Sequence, residues 1–355
     1  MTGQIGSQYE HVLAPLFTDL HRVSAFEYAS TLVRVGGMTD AGWDAVEESS
    51  EFLEDLSVLT QPGSQLAGVR DPEKTRWRLR MVSYAHLTEM DAPYELLANL
   101  LRIRLGMRYS SIPFQILKEG IKRKGEHGKK LKPVSLKYPN QKIDLIKRLS
   151  KAAGIPQAGD AFNEFYFAPL RNAIDHSDYV LHQSELRLLK GFIPNTTVST
   201  SLSPVIPFAR LEDIFDRSTA FYRTLFGLER KARAGFVDLK GECFRGGFFP
   251  DQRALKGLLE FLIDGEGLLC GWRVHWPNQL DSTYRRTAIG REAVNMFNTP
   301  DGAVDFMPGE YFAEHDSFSP LLPPGASPRY APTEETSRSP TWDDAPDCIA
   351  VRTIE

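Results

Sequence analysis

Cysteine is scarce in this chain: Cys243, Cys270 and Cys348 are the three among 355 residues. They lie far apart and match no metal-ligand spacing, so they read as ordinary thiols, and no metal is expected. Long apolar runs are missing too. No stretch approaches the roughly 20 residues that cross a bilayer, which argues against a membrane partner. The opening "MTGQIGSQYEHVLAPLF" has neither the basic start nor the apolar core of a signal peptide. Together with the thiols this predicts a reduced, cytoplasmic setting. A large net charge is also lacking. The value of -4 excludes a polycation that would coat nucleic acid over its whole surface. Internal repeats are absent. What is present is an apolar fraction of 42% against 25% charged, which suits a globular chain with a buried core.

The apolar period is mostly helical. "YEHVLAPLFTDLHRVSAFEYASTLVRV" repeats every three or four positions up to Gly36 and Gly37. "TDAGWDAVEESSEFLEDLSVL" follows, with Thr39 and Asp40 as N-cap candidates. "EKTRWRLRMVSYAHLTE" and then "YELLANLLRIRL", closed by Gly106, predict a helix pair broken at "MDAP". "KRKGEHGKKLKPVSLKYPNQ" reads as an exposed loop, "QKIDLIKRLSKAAG" as a short helix, and "GDAFNEFYFAPLRNAIDHSDYVL" as one long helix. "SELRLLKGF" alternates as a strand and "PVIPFARLEDIFDRSTAFYRTLFGLERKARAGF" is helical again. Beyond Gly235, "DQRALKGLLEFLIDG" looks helical, while "GLLCGWRVHWP", "STYRRTAIG", "EAVNMF" and "AVDFM" look like strands. The expected organisation is a helical region over 1–70, a helical domain over 71–235, a small α+β region over 236–313 and a Pro/Ser-rich, weakly ordered tail over 314–355. The fold class is therefore mainly α.

Within "LRNAIDHSDYVL" an Arg–Asn pair, Arg171 and Asn172, precedes His176 by a short spacer. This stretch resembles the signature of the HEPN superfamily, whose ribonuclease members carry Arg, a polar residue, a spacer and His. Residues 84–106 resemble the helix pair that precedes the motif in uncharacterised bacterial HEPN-like proteins, and the hairpin around "SELRLLKG" fits as well. The resemblance spans residues 73–235 and implies a HEPN-like helical bundle with a short β-hairpin. Arg80 and His86 have a similar spacing, but Met81 follows the Arg, so that pair is not the motif.

The resemblance implies RNA cleavage with no cofactor: the ribose 2′-hydroxyl attacks phosphorus and the 5′-oxygen leaves. That step needs a proton acceptor and donor and a cation for the phosphorane. His176 suits the first task, since an ordinary imidazole titrates near neutrality. Arg171 suits the second, with a permanent charge and a planar fork for phosphate oxygens. Asn172 shares a helix face with His176 at i,i+4 and can orient the imidazole or bind ribose. Asp175 and Asp178 can support the imidazole or order the loop. Arg171 and His176 stand about 140° apart on an ideal helix, so one copy makes a poor pincer. HEPN units pair face to face, which implies a homodimer. The family further implies phage defence or toxin action, with an antitoxin or defence-system partner. The bland alternative pairs Arg171 with Asp175 and lets His176 and Asp178 cap the helix end.

His86 and Glu89 share a face at i,i+3, more as polar support than as a metal site. Glu95 and Asn99 extend that polar seam toward the motif helix. Within 101–148 basic residues face only Glu119, Glu126 and Asp144. Lys122, Arg123, Lys124, Lys129, Lys130 and Lys132 are the candidate RNA backbone contacts. Tyr109 and Tyr138 are candidates for base stacking or for packing. The rival to a nuclease is a catalytically silent HEPN-fold module that binds RNA, a nucleotide or a protein.

Overall fold

The computed structural model describes residues 2–34, 45–60, 66, 68–107, 109–110, 112–119, 131–189, 205–240, 243–246, 258–275, 281–287, 290–294, 332–336 and 348–353. Helix dominates these residues, with smaller β-sheets beside it. The chain's contacts gather into two compact units interleaved along the sequence, not into consecutive blocks. One unit comprises Met1–Leu13, Ala45–Pro93 and Asp160–Phe226; the other comprises Ala14–Asp44, Tyr94–Gly159 and Gly227–Glu355.

The first unit holds α1 (Thr2–Leu13), α3 (Ala45–Leu59), α4 (Pro72–Glu89), α8 (Phe162–Phe165), α9 (Ala168–Asp175) and the 208–226 part of α10 (Phe208–Ala234). Helix α4 begins where the sequence specifies it. The Asp71 carboxylate accepts the Lys74 N–H at 3.0 Å, and Pro72 occupies the first turn, where its missing N–H costs nothing. The core is aromatic. Phe221 meets Tyr9, Phe162 and Phe165 with ring centroids 4.9–5.5 Å apart, and Tyr84 lies 5.4 Å from Phe215. All six are buried, a large apolar payload for this unit. Antiparallel strands β3 (Tyr179–His182), β4 (Glu185–Leu188) and β5 (Val205–Pro207) complete it. Leu181, Leu186, Leu188 and Ile206 form their buried face.

The second unit holds α2 (Leu20–Val33), α5 (Asp91–Arg104, from Tyr94 on), α6 (Pro139–Ala152), α7 (Pro156–Asp160, up to Gly159) and two sheets. Strands β1 (Gln115–Glu119) and β2 (Leu131–Ser135) form a hairpin. The larger sheet joins β6 (Cys243–Gly246), β7 (Leu258–Ile263), β8 (Leu269–His275), β9 (Asp281–Thr287), β10 (Gly290–Val294), β11 (Pro332–Thr336) and β12 (Cys348–Thr353). Its order is β10-β9-β8-β7-β12-β6-β11, and only the β12–β7 pairing is parallel. Trp272 stacks on its cross-strand partner Tyr284, whose hydroxyl donates to the Arg34 carbonyl at the end of α2 (3.1 Å). Gly271 is obligatory beside them, because a Cβ there would lie 2.0 Å from the Tyr284 carbonyl oxygen. Helix α5 closes with Gly106 at φ 73 and a Met107 N–H bond to the Arg102 carbonyl at 2.8 Å, as its sequence predicts.

Several expectations need correction. The first long helical stretch is broken by a 3-10 turn at Ala14–Leu16 and by Asp19 at φ 56, and α2 ends before Gly36. "LLEFLI" is the strand β7, since a six-residue apolar run satisfies a central strand as well as a helix turn. "LKPVS" is β2, not loop. The tail is not irregular throughout: β11 and β12 add to the large sheet, and the β-branched "CIAVRT" explains the latter. Thr39, Asp40 and "AVDFM" lie outside the described residues. No helix among the described residues is long and apolar enough to cross a membrane.

Candidate functional site

The expected long helix through the motif is in fact the end of α7, then two short helices, α8 and α9, and its last residues, "YVL", belong to the strand β3. Tyr166 and Phe167 turn extended between α8 and α9, so the motif rides on an eight-residue helix. The break leaves backbone groups without helical partners, and Tyr84 of α4 satisfies two of them. Its hydroxyl donates to the Phe165 carbonyl at 3.1 Å and accepts the Phe167 N–H at 2.9 Å. Burial drives the phenol's pKa far up, so the hydroxyl stays protonated and keeps both roles. Sequence reasoning missed Tyr84 as a site support, because its partners lie 81 and 83 positions away.

At its other end α9 stops on His176. The His176 N–H reaches the Asn172 carbonyl at 3.0 Å, and Ser177 takes the left-handed conformation at φ 55. The Asp178 N–H then bonds the Ala173 carbonyl at 2.8 Å, the closing pattern usually built on glycine. Asp178 is half-buried and leads directly into β3. The result exposes Asn172, Asp175 and His176 together at the helix terminus. Among the described residues, the His176 imidazole has no hydrogen-bond or ion-pair partner.

Arg171 differs. Its guanidinium is only 15% exposed and lies against the Glu89 carboxylate of α4. Asp175 approaches Nε at 3.5 Å, and Nη1 donates to the Asn172 amide oxygen at 2.6 Å. Three expected residues, Glu89, Arg171 and Asp175, therefore meet in one cluster with one cation and two carboxylates. The i,i+4 contact with Asp175 was foreseeable from spacing; the Glu89 contact was not. His86 stands apart from this cluster. It packs edge-on against Phe52 of α3 at 4.7 Å, and partial burial lowers its pKa. No group of three or more His, Cys, Asp or Glu residues in a metal-holding arrangement occurs among the described residues.

The similarly spaced Arg80 is tied up elsewhere. It pairs with Glu212 at 3.2 Å and with Asp216, and lies over the Trp77 and Phe215 rings at 5.5 Å. Glu95 pairs with Arg34 at 3.1 Å, and Asn99 holds the Ser110 backbone through two bonds of 2.8 and 2.9 Å. Lys122, Arg123, Lys124, Lys129 and Lys130 lie outside the described residues. Lys132 sits in β2 opposite Lys118, with its side chain likewise outside them. Tyr109 is 6% exposed and so is a packing residue, not a stacking platform, whereas Tyr138 is 61% exposed. No protein-family model, curated protein or solved structure matches this chain.

Proposed function

We propose that this protein is a metal-independent endoribonuclease of the HEPN type, built on a HEPN-like bundle and working as a homodimer. The observation that carries the reading is the exposed imidazole of His176 at the end of α9, on the helix that also carries exposed Asn172, whose amide oxygen accepts from Arg171. In the reaction His176 takes the 2′-hydroxyl proton as the oxygen attacks phosphorus. The P–O5′ bond breaks, and the leaving oxygen takes a proton from solvent water. The products are a 2′,3′-cyclic phosphate and a 5′-hydroxyl. Arg171 offers its fork to the phosphorane oxygens once RNA competes with Glu89 and Asp175. A role in phage defence or as a toxin follows from the same resemblance.

One observation favours a second reading. Two carboxylates already neutralise Arg171, which suits a silent module whose motif is structural. Incubating labelled RNA in EDTA with wild type, His176→Ala and Glu89→Gln separates the two. For a nuclease, wild type cleaves and His176→Ala loses about 100-fold or more of the rate. Glu89→Gln, with Arg171 freed, keeps or exceeds the wild-type rate. Absence of cleavage by all three, or equal cleavage by wild type and His176→Ala, would discard the nuclease.

A further inference from the structure

Strand β3 is an edge of its three-stranded sheet: among the described residues it pairs with β4 alone. Its register says which backbone groups stay open. The Leu189 N–H donates to the Asp178 carbonyl at 2.8 Å, and β3 then runs beside β4 without a bulge. Bonded residues alternate in an antiparallel pair, so Val180 and His182 also direct their backbone groups to β4. Tyr179 and Leu181 turn theirs outward, an N–H and a carbonyl each, and no described residue takes them. Natural sheets guard such edges with proline, lysine or a bulge. The opposite edge is guarded in this way, since β5 ends in Pro207. "YVLH" has none of these devices. Its outer face is partly apolar as well: Val180 is 43% exposed, and across the sheet in register with it stand Arg187 and then Val205, both exposed.

We propose that this edge pairs with the same edge of a second copy of the chain, antiparallel about a two-fold axis at Val180. In that register the strand is complementary to itself. Each Tyr179 exchanges both backbone bonds with Leu181 of the second copy, so every outward group finds a partner. Val180 faces Val180 of the second copy at the non-bonded position, where side chains approach most closely, and each covers the other. On the same outer face Asp178 falls opposite His182 of the second copy, an acceptor against a donor. Moving the register by two residues sets Leu181 against Ser177, or Tyr179 against Gln183, both held left-handed and unable to continue a ladder. The contact is therefore fixed in register and isologous. It is edge to edge and separate from the α9 ends, which stand at opposite ends of the paired strands, the two Asp178 residues about 14 Å apart along them. It holds whether or not the protein cleaves RNA.

A cysteine on the axis tests the pairing. At a non-bonded antiparallel pair the Cα atoms stand about 4.5 Å apart, within reach of a disulfide. Under mild oxidation the full chain carrying Val180→Cys should run as a covalent dimer on a non-reducing gel. Wild type, with its native thiols, and Val205→Cys, exposed on the far strand, should not. Sedimentation velocity supplies a second arm. Val180→Lys, a change at an exposed position, sets like charges against each other on the axis and should weaken self-association about tenfold or more. Cross-linking of Val180→Cys no greater than that of Val205→Cys overturns the pairing. So does a wild type that stays monomeric at high micromolar concentration, or self-association that Val180→Lys leaves unchanged, which would move the contact to another surface such as the α9 ends.

Discussion

At the scale of single residues, the site depends on groups that only the folded chain brings to it. Tyr84 is the clearest. Its hydroxyl is the partner of both the Phe165 carbonyl and the Phe167 N–H, and it is nearly inaccessible to water. Tyr84→Phe keeps the ring in the aromatic core but leaves both backbone groups unsatisfied. Each such loss costs about 1–3 kcal/mol, so urea unfolding should show a destabilisation of about 2 kcal/mol or more. A loss well below 1 kcal/mol would mean that water takes over both bonds. His86 makes a different prediction. Desolvation lowers its pKa in the folded chain, so the unfolded chain binds a proton more readily. Stability from this group is complete above the ordinary imidazole value of about 6.5 and declines as pH falls through and below it. Replacing it by Phe preserves an aromatic contact with Phe52 and removes the titration. The drop in Tm between pH 7.5 and 5.5 should therefore be smaller in His86→Phe than in wild type.

At the scale of elements, the helices were legible where local chemistry decides them. Gly106 after α5 and the period of "QKIDLIKRLSKAAG" each fix an element through neighbours in sequence. The strand character of β8, β9 and β10 was legible for the same reason. What was not legible depends on distant partners. "LLEFLI" becomes β7 because β8 and β12 flank it, and the apolar run alone does not say so. The break between α8 and α9 depends on Tyr84. At the site itself, spacing offered Arg171, Asn172 and His176, but the Glu89 clamp needs a second helix. Two closures go against local preference. Ser177 at φ 55 and Gln183 at φ 49 occupy conformations that glycine adopts freely. Ser177 ends the motif helix, and Gln183 is the first residue of the two-residue β3–β4 turn. Ser177→Gly and Gln183→Gly should each stabilise the protein by about 0.5–1 kcal/mol, relief of left-handed strain outweighing glycine's entropy. Thermal melts read this directly; a lower Tm would show that the native side chains make contacts that compensate for their backbone.

At the scale of the whole molecule, the question is whether one copy can supply a complete site. His176 is exposed, while Arg171 is held beside Glu89 and Asp175, so the cation and the imidazole of one copy do not stand free on the same surface. The proposed homodimer resolves this by letting Arg171 of one copy serve the phosphate that His176 of the other attacks across. Complementation between two inactive variants tests that arrangement. Arg171→Ala and His176→Ala should each be inactive as pure homodimers. Co-expressed in equal amounts, half of the dimers combine one copy of each and rebuild one of two equivalent Arg–His pairings. About a quarter of the wild-type rate should return on these statistics, and the wild-type specific activity should fall on dilution below the dimer's Kd. If Arg and His act within a single copy, no mixture regains activity, because every chain lacks one of the two. Zero recovery in a mixture shown to contain heterodimers would therefore rule out the shared cleft, whereas recovery near a quarter requires each phosphodiester to be handled by both copies at once.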